Sequence, residues 1–234
     1  TEYSLGALPV ILDVDPGVDD ALALMLALAS PEVELVGVST VSGNVPVEVG
    51  TRNALRLLNF LDRGDIPVFK GAEKPLTADP CYASEVHGPE GLGEAVLPET
   101  KGHPRGDGVS FLIEALDSSP GEVTLVATGP LTNLALANRK RPGILARAKE
   151  VIVMGGAIGA PGNVTPTAEF NFYVDPHAAQ EVIASVASIS LVTLDTTRQV
   201  ALREDVIRDR ILPLGTGKAE FVEMATRTAI DFGK

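Results

Sequence analysis

Residues 9–29 read Pro-Val-Ile-Leu-Asp13-Val-Asp15-Pro-Gly-Val-Asp19-Asp20-Ala-Leu-Ala-Leu-Met-Leu-Ala-Leu-Ala. An apolar run of strand length meets an apolar run of helix length across a Pro-Gly turn, with four carboxylates packed into the junction. This is the start of a βα unit. Asp13 and Asp15 alternate with Val14 and share one face of the strand end. Asp19 and Asp20 fall in the first helical turn, where the macrodipole favours anions. An isolated Asp pair at a helix start is ordinary decoration. Four Asp in eight residues repel one another and must be exposed, protonated or neutralised by a cation. Residues 1–51 contain eight acids and no Lys or Arg, so no local basic side chain can neutralise them. A hard, oxygen-seeking cation such as Ca²⁺ suits this set of ligands. The three histidines, His87, His103 and His177, have no paired spacing, which argues against zinc.

The rest of the chain repeats the alternation. Strands are expected at Pro9–Val14, Val33–Val41, Glu122–Thr128, Val151–Met154 and Ile189–Leu194. Helices are expected at Asp19–Ala29, Arg52–Leu61, Thr132–Asn138 and from Asp175-Pro176, an N-cap followed by proline at the first helical position, to about Ala187. Short apolar strands alternating with helices predict an α/β fold: an open, mostly parallel sheet with helices on both faces, in one domain over 1–234. Two long irregular stretches, roughly 70–108 and 157–174, have the length of functional loops. In such sheets ligands bind beyond the carboxyl ends of the strands. There the sequence places Asp13 and Asp15, Ser42-Gly43-Asn44, Thr128-Gly129-Pro130, Met154-Gly155-Gly156 and Asp195-Thr196-Thr197.

Composition narrows the function. A net charge of −12 argues against nucleic acid as a partner. The longest unbroken apolar run, Ala21–Ala29, falls far below a membrane span, and the first residues carry no basic leader. The single cysteine, Cys81, reads as structural and fits a reducing compartment, so cytoplasmic residence is expected.

The 157–174 loop alternates Glu169-Phe170-Asn171-Phe172, the mixture of polar groups and apolar walls that pockets use. If locally extended, Glu169 and Asn171 point the same way. Met154 reads equally as pocket lining or core. His87 reads equally as a surface histidine or a base-contacting group.

Asp13-Val-Asp-Pro-Gly-Val-Asp-Asp20-Ala-Leu-Ala-Leu24 resembles the N-terminal signature of the nucleoside hydrolase family, which prefers inosine, uridine and related ribonucleosides. Further stretches match in order: Ser42-Gly-Asn44, Gly71-Ala72 with Pro75-Leu76, His87-Gly-Pro-Glu-Gly-Leu-Gly93, Thr128-Gly-Pro-Leu-Thr-Asn-Leu-Ala135, Val153-Met-Gly-Gly-Ala157, and Gly162-Asn163 through Glu169-Phe-Asn171-Phe to Asp175-Pro176. The resemblance implies Ca²⁺-dependent cleavage of the N-glycosidic bond of a small-molecule ribonucleoside. It implies Asp15, Asp20 and the Thr128 carbonyl as metal ligands, with Asp13 behind them. It implies Asp19 as general base, and Asn44, Asn163, Glu169 and Asn171 as ribose contacts. Met154, His87 and Phe170 join them as pocket residues. The family commonly forms dimers or tetramers, so a homo-oligomer is expected. A C-terminal His-Asp pair typical of the family does not occur in these 234 residues, so the domain is expected to lack the family's C-terminal part. The alternative from another class is therefore a non-catalytic nucleoside- or ribose-binding protein. A remoter one is an Asp-x-Asp phosphatase, against which stand Pro16-Gly17 after the pair and the lack of a second Asp downstream of Gly106-Asp107.

Overall fold

The computed structural model describes residues 6–186 and 188–233. Strands β1 (Leu8–Val14), β2 (Val33–Thr40), β3 (Val68–Lys70), β4 (Thr124–Ala127), β5 (Glu150–Met154) and β6 (Ile189–Val192) form one sheet in the order β3-β2-β1-β4-β5-β6. Every pairing is parallel. The helices are α1 (Val18–Ala29), α2 (Val47–Phe60), α3 (Ser84–His87), α4 (Gly108–Ser118), α5 (Thr132–Lys140), α6 (Phe170–Val174), α7 (Pro176–Ser185), α8 (Leu194–Thr197), α9 (Glu204–Val206) and α10 (Gly217–Phe232).

The sheet divides two cores because β1 alternates its side chains. Val10, Leu12 and Val14 face one way and pack with Leu24 of α1, Leu57 and Leu58 of α2, and Phe221 and Ala225 of α10. Ile11 faces the other way and packs with Leu112 and Leu116 of α4, Leu134 of α5 and Val182 of α7. Asp13 has the parity of Ile11 and is fully buried on that side.

The expected α/β architecture holds, with shifted boundaries. The α2 helix begins at Val47, five residues before Arg52. The last helix of the sequence reading ends at Ser185; Ala187 lies outside the described residues. The last strand ends at Val192, and Leu194–Thr197 turn helical. β3, α4 and α10 were not foreseen.

Strand order reverses at β1, with β2 on one side and β4 on the other. Ligands bind at such a switch point, beyond the carboxyl ends of the two central strands. Asp15 follows β1 and Thr128 follows β4, so the acidic junction occupies that crevice.

Candidate active site

The turn after β1 carries its carboxylates inward. Asp13 and Asp15 are fully buried and Asp20 is 1% exposed. The Asp19 side chain, one residue away on α1, is 67% exposed. Asp13 Oδ1 accepts from Asn133 Nδ2 at 2.8 Å and from the Ser39 hydroxyl. Asp15 Oδ2 accepts from the Asn44 backbone N–H at 2.7 Å. Asp20 Oδ1 accepts from the Thr128 hydroxyl at 2.6 Å. Asp20 Oδ2 accepts from Gly17 N–H at 3.1 Å and Asn44 Nδ2 at 3.2 Å. Asn44 also donates to the Asp15 carbonyl, so its side chain ties the turn to itself.

Burial pushes all three inner carboxyls up. Asp13 reaches about 7, held from going higher by Asn133 and Ser39. Asp20 also reaches about 7, through burial and the nearby charge of Asp19. Asp15 stands well above the ordinary range, for burial first and then for Asp20 and Asp19.

Among the described residues, Asp15 Oδ1 and Asp13 Oδ2 are buried acceptors with no hydrogen-bond donor. Buried acceptors are normally satisfied, and an orphan calls for an explanation. Around Asp15 the chain leaves no room for a side chain: a Cβ on Gly43 would lie 2.1 Å from Asp15 Oδ2, and one on Gly129 would lie 2.8 Å from Asp15 Oδ1. No group of three or more His, Cys, Asp or Glu side chains forms a metal cage among the described residues. The donor set that the resemblance implies is the neighbouring carboxylates Asp15 and Asp20 with the Thr128 carbonyl. It is all oxygen and anionic, and it fits a hard divalent cation. A carbonyl has two lone pairs; that of Thr128 accepts from Asn171 Nδ2 at 2.7 Å, which leaves one for a cation.

The charge arrangement fixes how stability responds to pH without metal. Between the ordinary Asp value of 3.8 and about 7, folded Asp13 and Asp20 keep protons that the unfolded chain releases. The folded state binds more protons, so stability falls as pH rises through this window. His87, whose pKa burial lowers, works the other way in part of this window, one group against the raised Asp13, Asp15 and Asp20. Carboxyls held low by partners, such as Asp65 beside Arg63 and Glu181 beside Arg139, act only below it. In chelator, the protein is expected to melt higher at about pH 5 than at about pH 7.5. A thermal melt series read by circular dichroism tests this; a flat or rising profile would contradict it.

Above the acidic turn lies a cavity of 460 Å³. Its lining includes Asp19, Asn44, His87, Thr128, Met154, Asn163, Glu169, Phe170 and Asn171. All the residues singled out as catalytic or substrate-contacting thus face one space. Asp13, Asp15 and Asp20 lie buried at the strand end beside it.

The walls come from the two long loops. In the first, α3 carries His87, 8% exposed, whose Nδ1 accepts from the Val18 N–H at 3.1 Å. That bond commits Nδ1 as an acceptor, so the neutral ring carries its proton on Nε2. Burial lowers the His87 pKa, opposed by Asp19, whose Oδ1 is 3.7 Å away. Asn53 on α2 donates to the Pro16 carbonyl at 3.3 Å and the Glu90 carbonyl at 2.7 Å, clamping the His87 loop to the acidic turn. In the second loop the extended course on which the sequence reading placed Glu169 and Asn171 side by side ends at Glu169, and Phe170–Val174 turn helical. Glu169 caps the short α6 helix, its Oε1 accepting from Asn171 N–H and its Oε2 from Phe172 N–H and Gly156 N–H. Glu169 and Asn171 nonetheless both reach the cavity. Burial raises the Glu169 pKa against these three amides. A carboxylate offers about four acceptor sites, so one remains. Asn171 Nδ2 donates to the carbonyls of Thr128 and Met154, which leaves Oδ1 as its acceptor toward the cavity.

Sequence reasoning missed Tyr82, Val86 and Phe232, which also line the cavity. Val86 adjoins His87, and Phe232 stands at helical spacing from Phe221, Ala225 and Ala229, signals that the sequence reading did not use. It also missed Ser39 and Asn133, the partners of Asp13.

The family model for inosine-uridine preferring nucleoside hydrolases matches residues 10–234. The chain belongs to that family, which displaces the phosphatase alternative. It is 50% identical over 197 residues to an uncharacterised protein of Schizosaccharomyces pombe, covering 82% of this chain and 62% of that protein. It is 44% identical over 221 residues to the pyrimidine-specific ribonucleoside hydrolase RihA of Salmonella arizonae, covering 93% and 71%. Its fold superposes on a plant nucleoside hydrolase with a TM-score of 0.90 at 36% identity, covering 96% of this chain and 71% of that one. A purine-preferring ribonucleoside hydrolase from Gardnerella vaginalis gives 0.91 at 34% identity, covering 95% and 72%. The chain thus spans under two thirds of the length of the Schizosaccharomyces pombe relative and somewhat over two thirds of the others. Among the described residues no helix is long and apolar enough to cross a membrane.

Proposed function

We propose that the protein hydrolyses the N-glycosidic bond of ribonucleosides, releasing ribose and free base, with Ca²⁺ held by Asp15, Asp20 and the Thr128 carbonyl. The observation that carries this reading is the convergence of acceptor-rich side chains and one exposed carboxylate on a single cavity beside the buried carboxylates Asp15 and Asp20, of which Asp15 Oδ1 meets no donor among the described residues. Cleavage of an N-glycoside passes through an oxocarbenium-like transition state. Asn163, Glu169, Asn171 and Asn44 supply polar atoms suited to ribose hydroxyls. The buried acidic cluster favours positive charge developing on the sugar ring. Asp19, at the cavity edge, accepts the proton of the attacking water. His87, neutral with its proton on Nε2, is a donor placed to contact the departing base. Met154, Phe170 and the apolar wall exclude water around the sugar and base. The ion, when bound, supplies Lewis acidity toward water and an anchor for oxygen ligands. Assembly as a dimer or tetramer belongs to the same reading and rests on the family resemblance; residence in the cytoplasm rests on the single cysteine, which fits a reducing compartment.

The similar proteins include pyrimidine-specific and purine-preferring enzymes, so the test uses inosine, uridine and cytidine. The protein is incubated with each, and reducing ribose is followed in Ca²⁺ and in chelator. Ribose release that stops in chelator and returns with Ca²⁺ is the expected result. Nucleoside binding without ribose release would replace this reading with the non-catalytic binding protein.

A further inference from the structure

We propose that Asp195, in α8 just beyond β6 and outside the cavity lining, is a positioning residue that anchors loop 157–163 and so sets where Asn163 stands in the site. The proposal rests on the nucleoside hydrolase reading. Three consecutive loop amides converge on this one carboxylate. Ile158 N–H donates to Oδ2 at 2.9 Å, and Gly159 and Ala160 N–H donate to Oδ1 at 2.7 and 2.8 Å. The Thr193 hydroxyl donates to Oδ2 at 3.0 Å. These four bonds fill the acceptor capacity of a carboxylate, and all are charge-assisted. Successive amides folded around an anion form a nest. The Ile158 amide, first among them, holds the Asp195 carboxyl far below the ordinary range, so the anion persists at any working pH.

Little else fixes this stretch. Ile158 is 83% exposed and contributes almost no apolar burial. A segment with few apolar contacts opens locally at low cost unless polar bonds hold it. Arg198, three residues beyond Asp195, adds one bond from Nη2 to the Gly162 carbonyl at 3.2 Å. From Gly162 onward the loop closes on itself: Gly162 N–H donates to Pro166 O, and Asn163 and Val164 N–H donate to Ala168 O. This small closed lobe carries Asn163 and Val164 into the cavity lining. Its far end is fixed by Glu169 at the Gly156 N–H. Its near end is fixed by Asp195. Two carboxylates that each take three hydrogen bonds from backbone amides therefore bracket the lobe, Glu169 buried and Asp195 partly exposed.

The test compares wild type, Asp195→Ala and the near-isosteric Asp195→Asn for KM and kcat on the nucleoside that wild type cleaves, with amide hydrogen exchange across the chain. Asp195→Ala is expected to raise KM by about tenfold or more, since small misplacements of positioning groups have effects of this size. Asp195→Asn keeps one oxygen for Gly159 and Ala160 and loses the acceptor for Ile158, so its KM should fall between the two. Exchange at 158–163 should rise in both variants while the strands stay protected. A merely structural role lowers the active fraction, hence apparent kcat, and leaves KM alone. Turnover by wild type with unchanged KM in Asp195→Ala overturns the positioning role and leaves the nucleoside hydrolase reading intact. Deprotection spread evenly over the sheet also overturns it. Absence of wild-type turnover removes the reading and the role together.

Discussion

Asp19→Ala is expected to lower kcat for ribonucleoside hydrolysis by roughly 10²–10⁴-fold, the range that positioned proton transfer contributes, with little change in melting temperature. The two halves of this expectation have separate causes. Asp19 lines the cavity, and its side chain is 67% exposed. Among the described residues the basic side chain nearest to it is neutral His87, 3.7 Å away, a contact too long to hold the fold. Its charge instead raises the pKa of Asp15, Asp20 and Glu169. Removing it relieves repulsion and leaves no buried group unpaired. His87 cannot take over as base through Nδ1, because that lone pair accepts from the Val18 N–H. Among the acidic residues of the turn, Asp13, Asp15 and Asp20 are buried, which leaves Asp19 as the carboxylate open to water. Asp19→Asn, of the same shape, should match the alanine variant. Steady-state kinetics beside thermal melts give both numbers. Turnover within a few-fold of wild type in either variant would remove Asp19 from the proton transfer.

What the sequence revealed of this site, and what it hid, follows the range of the contacts. β1, β2, β4, β5 and β6 were legible because buried parallel strands are continuous apolar runs. β3 was hidden because Val68–Lys70 is too short to form one. The α4 helix had readable signals: Asp107 as N-cap, and Val109, Leu112 and Leu116 at helical spacing. The irregular loop before it drew the reading away. The short helix after Glu169 was hidden inside the irregular 157–174 stretch because Phe-Asn-Phe-Tyr has poor helix propensity; the Glu169 carboxylate nucleates the turn by capping it. The residues proposed to carry chemistry were legible because they sit at strand ends or in polar clusters within the long loops. Residues that position them were not. Asn133 lies 120 positions from Asp13, and Asn53 reaches Pro16 and Glu90 across 37 positions in each direction. Only the folded chain brings such pairs together.

The same buried carboxylates predict a trade of stability for metal affinity. Asp15→Asn is expected to raise the melting temperature of the metal-free protein and to abolish its stabilisation by Ca²⁺. In wild type, Asp15 is fully buried beside Asp20, and its Oδ1 meets no donor among the described residues. Without a cation, the pair persists only by holding protons that each would otherwise lose. Asparagine keeps an oxygen for the Asn44 N–H, now 2.7 Å from Oδ2, and places an NH₂ where the orphan acceptor stood, next to the Asp20 carboxylate. Repulsion becomes a donor–acceptor contact, with a gain of about 1–2 kcal/mol, the scale at which relieving a functional site commonly stabilises a fold. The variant has also lost one of two anionic ligands from a site that prizes charge. Wild type at a Ca²⁺ concentration of about 100 times Kd gains about 2.7 kcal/mol, roughly 5–10 °C for a chain of this size. Melts of both proteins in chelator and in Ca²⁺ therefore cross: the variant is the more stable when metal-free, and wild type moves up when calcium is added while the variant stays. A variant that melts no higher than wild type in chelator would show that the two carboxylates do not oppose each other. A variant that keeps the calcium shift would place the ion elsewhere.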